Sequence, residues 1–222
     1  MPRLTFPLFF LFALACPAQQ YLGVQTWCGP DSDQLNALAL DPQQRIFALG
    51  GFWATADMDP GPGSADHTAM GVQDIFLSRF TAEGQWEWST RLGGPMHDHA
   101  QALAVDADGV FVGGEFRDTV ITGSGTLVSK GADDALLARY SLEGTLLWAI
   151  SVGGTGSDHI NDIAVDAAGN VLAIGYFQGS VDFDPGPGVV HAGADIGDAM
   201  FLWKVSAAGE LVWVRSWAGS SS

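Results

Sequence analysis

The chain has 222 residues, 47% hydrophobic and 15% charged, which is enough apolar material for a buried core and lies outside the disordered composition class. Its formal net charge of −16 at pH 7 excludes nucleic acid as a partner, because such binding depends on cationic neutralisation of phosphates, and disfavours anionic membrane surfaces. The 29 glycines and 10 prolines work against helix, whereas Val, Phe, Trp and Thr fit pleated strands, so mostly β structure is expected.

Residues 1–18 read as a secretory signal peptide, with Arg3 as a small positive n-region, an apolar run from Leu4 to Ala15, and Cys16-Pro17-Ala18 before Gln19 as the cleavage site. A secreted or cell-surface location follows. The apolar run is shorter than the roughly 20 residues that span a bilayer, and no later segment qualifies, so no transmembrane segment is expected. In a second reading Cys16 is the lipidated cysteine of a lipoprotein, since Leu14-Ala15-Cys16 fits that pattern in part. Ordinary cleavage leaves Cys28 alone, read as a small buried hydrophobe, so stability rests on packing and not on an intrachain disulfide. Residues 19–27 are predicted to form an outer strand, because Tyr21 to Trp27 stands before the first repeat as Trp86 to Leu92 stands before the second.

A repeat then begins. Asn36-Ala37-Leu38-Ala39-Leu40-Asp41 recurs as Gln101-Ala102-Leu103-Ala104-Val105-Asp106 and as Asn161-Asp162-Ile163-Ala164-Val165-Asp166. Each copy is followed by a second apolar element, at Phe47 to Phe52, Phe111 to Phe116 and Leu172 to Phe177. The intervening Asp106-Ala107-Asp108-Gly109 and Asp166-Ala167-Ala168-Gly169-Asn170 have β-turn chemistry, so the two elements form a hairpin. The first element, nearly continuous in apolar residues, suits a sheet covered on both faces.

Third and fourth elements follow in every copy: Ile75 to Phe80 then Trp86-Glu87-Trp88, Leu136 to Tyr140 then Leu146-Leu147-Trp148, and Met200 to Val205 then Leu211-Val212-Trp213. Each pair is a second hairpin with Gly84, Gly144 or Gly209 in its turn. Trp88, Trp148 and Trp213 each follow that glycine by four residues, on the outer strand, where an indole can wedge between units. Four strands in consecutive hairpins make one propeller blade. The expected fold is all-β: a β-propeller-like array of about three four-stranded antiparallel blades in an open, incomplete ring. The blades span residues 28–91, 92–151 and 152–217, and residues 218–222 start a further repeat, so the sequence reads as part of a longer protein whose further blades would be its neighbours.

The pattern Gly153-Gly154-Thr155-Gly156-Ser157-Asp158, Asp166 to Val171, Gly175-Tyr176-Phe177, Asp198-Ala199 and Trp213 resembles the bacterial β-propeller repeat of the SBBP type. The resemblance covers about residues 28 to 217. It implies a secreted or surface repeat protein with no assigned catalytic site. The first copy departs from it with Cys28-Gly29 in place of the glycine pair, and the second lacks the Asp-Pro-Gly-Pro-Gly insertion.

Asp57-Met58-Asp59-Pro60-Gly61-Pro62-Gly63 and Asp182-Phe183-Asp184-Pro185-Gly186-Pro187-Gly188 admit two readings, a rigid loop capped by its own aspartates or a calcium site through Asp57, Asp59, Asp182 and Asp184. Apart from that possible calcium no cofactor is expected. Asp33, Asp98 and Asp158 recur at one position, Asp41, Asp106 and Asp166 at a second, and Arg79, Arg139 and Lys204 at a third. A group needed in every unit is structural, and the three cations are expected to meet recurring aspartates. His97-Asp98-His99, with His159 one repeat on, is the one cluster suggesting a metal or acid–base site, since residues i and i+2 of a strand share a face. The leading functional expectation is a non-catalytic extracellular scaffold that binds a protein or glycan through its variable loops at 54–73, 117–133 and 178–197. The alternatives are part of a propeller enzyme such as a quinoprotein, and a structural stalk or spacer.

Overall fold

The computed structural model describes residue 26 and residues 29–123 and 125–218. The predicted signal peptide, residues 19–27 apart from residue 26, Cys28, and residues 219–222 lie outside the described residues. β1 (Gln34–Leu40) and β2 (Ile46–Phe52) form a hairpin, β3 (Thr55–Asp57) and β4 (Asp66–Thr68) a small separate one, and β5 (Asp74–Phe80) and β6 (Trp86–Leu92) a third. β2 also pairs with β5, which gives a four-stranded antiparallel sheet in the order β1-β2-β5-β6.

The second sheet repeats this plan with β7 (Asp98–Val105), β8 (Val110–Phe116), β11 (Asp134–Tyr140) and β12 (Leu146–Val152), while β9 (Thr119–Thr122) and β10 (Gly125–Val128) form its small hairpin. The third consists of β13 (His159–Val165), β14 (Val171–Asp182), β15 (His191–Val205) and β16 (Leu211–Trp217). There the small hairpin is continuous with the sheet, because β14 and β15 run on past a register shift between Gln178 and Ser180. The described residues thus form an all-β, open propeller-like array of three four-stranded antiparallel blades.

The turns follow from their side chains. Asp41 Oδ1 accepts the amides of Gln43 and Arg45, Asp106 Oδ1 that of Asp108, and Asp166 Oδ1 those of Ala168 and Asn170. In the outer turns the hydroxyls of Thr81, Ser141 and Ser206 do the same for amides two and four residues on. The inner hairpins carry a bulge at one step, Leu35/Ala37, Ala100/Ala102 and Ile160/Asp162. Opposite the bulges stand Gly50, Gly114 and Gly175, where an added Cβ would strike the carbonyl of Gln34, His99 or His159.

Two apolar seams join the blades. Phe47, Leu49, Ile75 and Leu77 of the first blade pack on Val110, Val112, Leu136 and Tyr140 of the second. Phe111, Ala135 and Leu137 of the second pack on Ile160, Ile163, Val171 and Trp203 of the third. Burial of each large side chain contributes about 1.5–3 kcal/mol. Continuous burial falls on β2, β5, β8 and β11, and not on the first strands as their composition suggested. The middle strands are flanked by strands on both edges, whereas β1, β7 and β13 form the inner edge of each sheet.

The tryptophans act as wedges. Trp88 lies on Gly144 (φ 82°) in the outer turn of the next blade, and Trp148 lies on Gly209 (φ 84°) in the blade after that. A side chain on either glycine would be strained by its φ and would meet the indole. Trp148 Nε1 also donates to the Ala207 carbonyl at 3.0 Å. Trp213 has no following blade among the described residues, and Arg215 stacks over it instead.

Candidate functional site

In each blade the second strand ends at the same edge of the sheet where the first begins. The small hairpins after β2 and β8, and the extension of β14 and β15, therefore project from one end of the array together with the segments that enter β1, β7 and β13. Asp33, Asp98 and Asp158 organise that end. Their Oδ2 atoms accept the amides of Gly29, Gly94 and Gly154, and Oδ1 of Asp33 and Asp158 accepts the amides of Trp53 and Gln178.

Each seam places one of these aspartates close to a buried acid on the third strand of the preceding blade, Asp98 beside Asp74 and Asp158 beside Asp134. Burial, helped by the Asp74 charge, pushes the Asp98 carboxyl up to about 7 against the pull of the Gly94 amide. Burial likewise holds Asp134 up at about 6, with Asp158 adding to it and the Lys130 amide opposing.

Beside them lies a cluster drawing on all three blades. Glu115 Oε1 accepts from Nδ1 of His99 at 3.0 Å and faces Nδ1 of His159 at 3.4 Å. Asn36 Nδ2 of the first blade lies 3.1 Å from Nε2 of His99, to which it donates when the ring is neutral with its proton on Nδ1, and Tyr176 stacks on the His159 ring at 4.6 Å. Hydrogen bonding to Glu115 raises the His99 pKa. For His159 burial acts downward, but the bond and charge of Glu115 outweigh it. Glu115 is pushed upward by burial, yet its two histidines hold it below the ordinary glutamate value. Replacing Glu115→Gln is expected to lower both histidine pKa values together in an NMR titration of the ring protons; histidines that titrate as before would show that the cluster is not coupled.

Sequence reasoning grouped His97 with His99, but the structure separates them. The strand starts at Asp98, and His97 turns to Gln73 Oε1 at 3.4 Å while His99 turns to Glu115. Glu115 carried no signal, since the equivalent positions hold Gly51 and Tyr176. The recurring cations also differ from expectation. Lys204 meets Asp166 at 2.6 Å, but Arg79 pairs with Glu87 at 2.7 Å, and Arg79 and Arg139 donate to equivalent main-chain carbonyls of the next blade, Leu142 and Ala207. Asp198 is displaced by one position: Ala199 stands opposite Phe177 where Asp74 faces Phe52 and Asp134 faces Phe116, and Asp198 accepts from Gln178 Nε2 at 2.8 Å.

The two Asp-Pro-Gly-Pro-Gly loops share one geometry. Asp57 Oδ1 accepts the amides of Asp59 and Ala65, Asp182 Oδ1 those of Asp184 and Val190, and Asp59 and Asp184 cap Gly61 and Gly186. Met58 and Phe183 between the aspartates are buried as anchors. Among the described residues no group of three or more His, Cys, Asp or Glu side chains is placed to hold a metal ion. No described helix is long and apolar enough to cross a membrane.

No family model matches the chain. It is 33% identical over 100 residues, 43% of its length, to the regulatory protein FlaEY of Caulobacter vibrioides. It is 25% identical over 133 residues, 54% of its length, to an uncharacterized WD repeat-containing protein of Acanthamoeba polyphaga mimivirus. Each alignment covers 10% of the relative, so the chain spans about a tenth of the length of these curated relatives. With the stacked four-stranded sheets, the second likeness marks a repeat protein of the β-propeller type.

Proposed function

We propose that the protein is a non-catalytic extracellular scaffold of the SBBP repeat type, exported by the segment 1–18, which binds a protein or glycan on the end that carries its hairpins. One observation carries this reading: three blades of common plan each extend a two-stranded projection of three or four paired residues per strand from the same end, with tips that differ in sequence between the middle blade and the other two. Rigid repetition beneath with variation above is how recognition surfaces are mounted on a scaffold.

The acidic composition favours neutral or cationic ligands. The carboxylates of the Asp-Pro-Gly-Pro-Gly loops serve the loops' own amides, which keeps the tips rigid at low entropic cost on binding.

The test is a screen of the full chain on glycan and protein arrays beside a variant whose β9–β10 tip at 119–128 is replaced by a short Gly-Ser turn. Binding by the natural chain, lost or weakened at least tenfold in the variant with the melting temperature retained, is the expected result. A chain that binds nothing on either array would favour the stalk, and quinone-dependent dye reduction would favour an enzyme; either outcome discards the scaffold.

A further inference from the structure

The polar links across the two seams come from equivalent positions: Asn36 and Gln101 donate to the Ala100 and Ile160 carbonyls, and Arg79 and Arg139 to those of Leu142 and Ala207. At the hairpin end the seams share a further backbone plan. In the first, segment 70–73 runs beside 94–97, and the Val72 amide donates to the Met96 carbonyl at 3.2 Å; in the second, the Ala132 amide donates to the Gly156 carbonyl at 3.0 Å. Parallel bridges, Gln73 with His97 and Asp133 with Ser157, continue each pairing, and the amides of Met70 and Lys130 are held by Asp74 and Asp134. In the first seam the entry to β9 lies along the far side of 93–97, with the Ile121 amide on the Gly93 carbonyl and the Arg117 amide on that of His97.

The backbone does the same work in both seams, but the side chains above it differ. In the first, Met70, Val72 and Met96 stand beside Ile121 and Val128 of the β9–β10 hairpin, each between 38% and 60% exposed. Ile121 and Val128 share one face of that hairpin, because Val128 pairs with Thr119, two residues from Ile121. In the second seam Lys130, Ala132 and Gly156 take the places of Met70, Val72 and Met96. Asp182 and Gly193 take those of Ile121 and Val128, since the Ser180 carbonyl lies against Gly154 as that of Thr119 lies against Gly94, and Ser180 pairs with Gly193. Assembling a seam therefore requires no apolar side chain at these positions. Single exposed apolar residues are ordinary, whereas a contiguous group marks an interaction surface. The strands on both sides of this seam are described throughout, so the exposure does not arise at an edge of the array.

We propose that this patch docks a cationic segment of a partner protein, which lays apolar side chains against Met70, Val72 and Met96. The inference rests on the binding role assigned to the hairpin end and names the class of partner. Aliphatic and thioether side chains select a protein: methionines reshape around varied apolar partners, whereas sugar hydroxyls set on them would lose water without gaining hydrogen bonds. Charge selects the sign. The three variable loops at 54–73, 117–133 and 178–197 carry eight aspartates against Arg117 and Lys130, and Arg117 is paired with Asp133 at 2.8 Å. Exposed Asp118 lies alongside Met96, because 93–97 and 117–121 run antiparallel, and exposed Asp66 on β4 precedes Met70 by four residues. Lys or Arg flanking the partner's apolar side chains meets these carboxylates, which steers the approach and fixes the register, while the apolar contact supplies the affinity.

The experiment measures binding of the full chain to three immobilised peptides of equal length, composed of Lys with Leu, Lys with Ser, and Glu with Leu. The Lys–Leu peptide is expected to bind, and the other two to bind more weakly by about tenfold or more. The double variant Val72→Ala/Met96→Gly installs the residues of the second seam without changing net charge. It is expected to remove the advantage of Lys–Leu over Lys–Ser, with far-UV spectrum and melting temperature unchanged because both residues are solvent-exposed. Met70→Gln, a single change on the same patch, is expected to weaken Lys–Leu binding several-fold, and Asp66→Asn/Asp118→Asn to weaken it and reduce its salt dependence. Equal binding of the Lys–Ser peptide, a preference for Glu–Leu, or patch variants that bind Lys–Leu as the natural chain does overturns the proposal. Binding on a glycan array without binding of Lys–Leu overturns it and leaves the scaffold standing, whereas a chain that binds neither peptides nor arrays discards both.

Discussion

Replacing Gly114→Ala is expected to cost about 3 kcal/mol, the upper end of what an inserted methyl group does in a packed core. The added Cβ would strike the His99 carbonyl and lie 2.6 Å from Ala100 Cα, and neither backbone atom can yield while the bulge between Ala100 and Ala102 holds β7 to β8. The displacement would also reach His99 and loosen its bond to Glu115. Gly123→Ala is the control, because a Cβ there meets nothing within 4 Å. Urea titrations of the two variants should differ several-fold in the loss of stability; equal midpoints would show that the strand can shift to make room.

Stability is expected to be greatest in acid solution, at about pH 4–5, and to fall by a few kcal/mol, on the order of 3 of them above pH 5.5, toward pH 8. Asp98 and Asp134 have folded pKa values raised to about 7 and about 6, above an unfolded value of about 3.9, so their contribution is complete below that value and lost as pH rises through 6 and 7. His99 and His159, also raised, lose their contribution in the same direction as they deprotonate. Asp41, Asp57, Asp182 and Glu115 are lowered, so theirs is present above the unfolded value and lost as pH falls through the folded one, which sets the acid limit. Asp98→Asn removes the charge beside Asp74 and should flatten the alkaline slope of melting temperature against pH. A natural chain that becomes more stable from pH 5.5 to 8, or an Asp98→Asn variant with the same slope, would contradict this account.

The strands, their turns and the wedge tryptophans were legible in the sequence because each physical requirement is stated three times. A turn needs its Asp and Gly in every blade, and a reader comparing copies sees them align. What was hidden falls into three physical classes. Glu115 occurs once and works by meeting histidines on its own and on the neighbouring blade, so no comparison of copies reveals it. Arg79 and Arg139 bond to main-chain carbonyls, and a carbonyl has no letter in the sequence. The projecting hairpins read as loops because their strands are only three or four residues long and the middle one lacks the Asp-Pro-Gly-Pro-Gly tip of the other two, although the run Thr119-Val120-Ile121-Thr122 has strand character of its own. Asp198 shows the limit of counting: it has the right neighbour and the wrong register, by one residue.

The seam acceptors at Ala100, Ile160, Leu142 and Ala207 are backbone atoms under four positions with three different side chains. A joint of this kind is indifferent to the identity of the residue it grips. The side chains at these four acceptor positions can therefore change without a compensating change in the donors of the preceding unit, so long as the glycine under each tryptophan is kept. Sequence drift along such a joint demands little of either partner, and the projecting ends are left free to diversify above it.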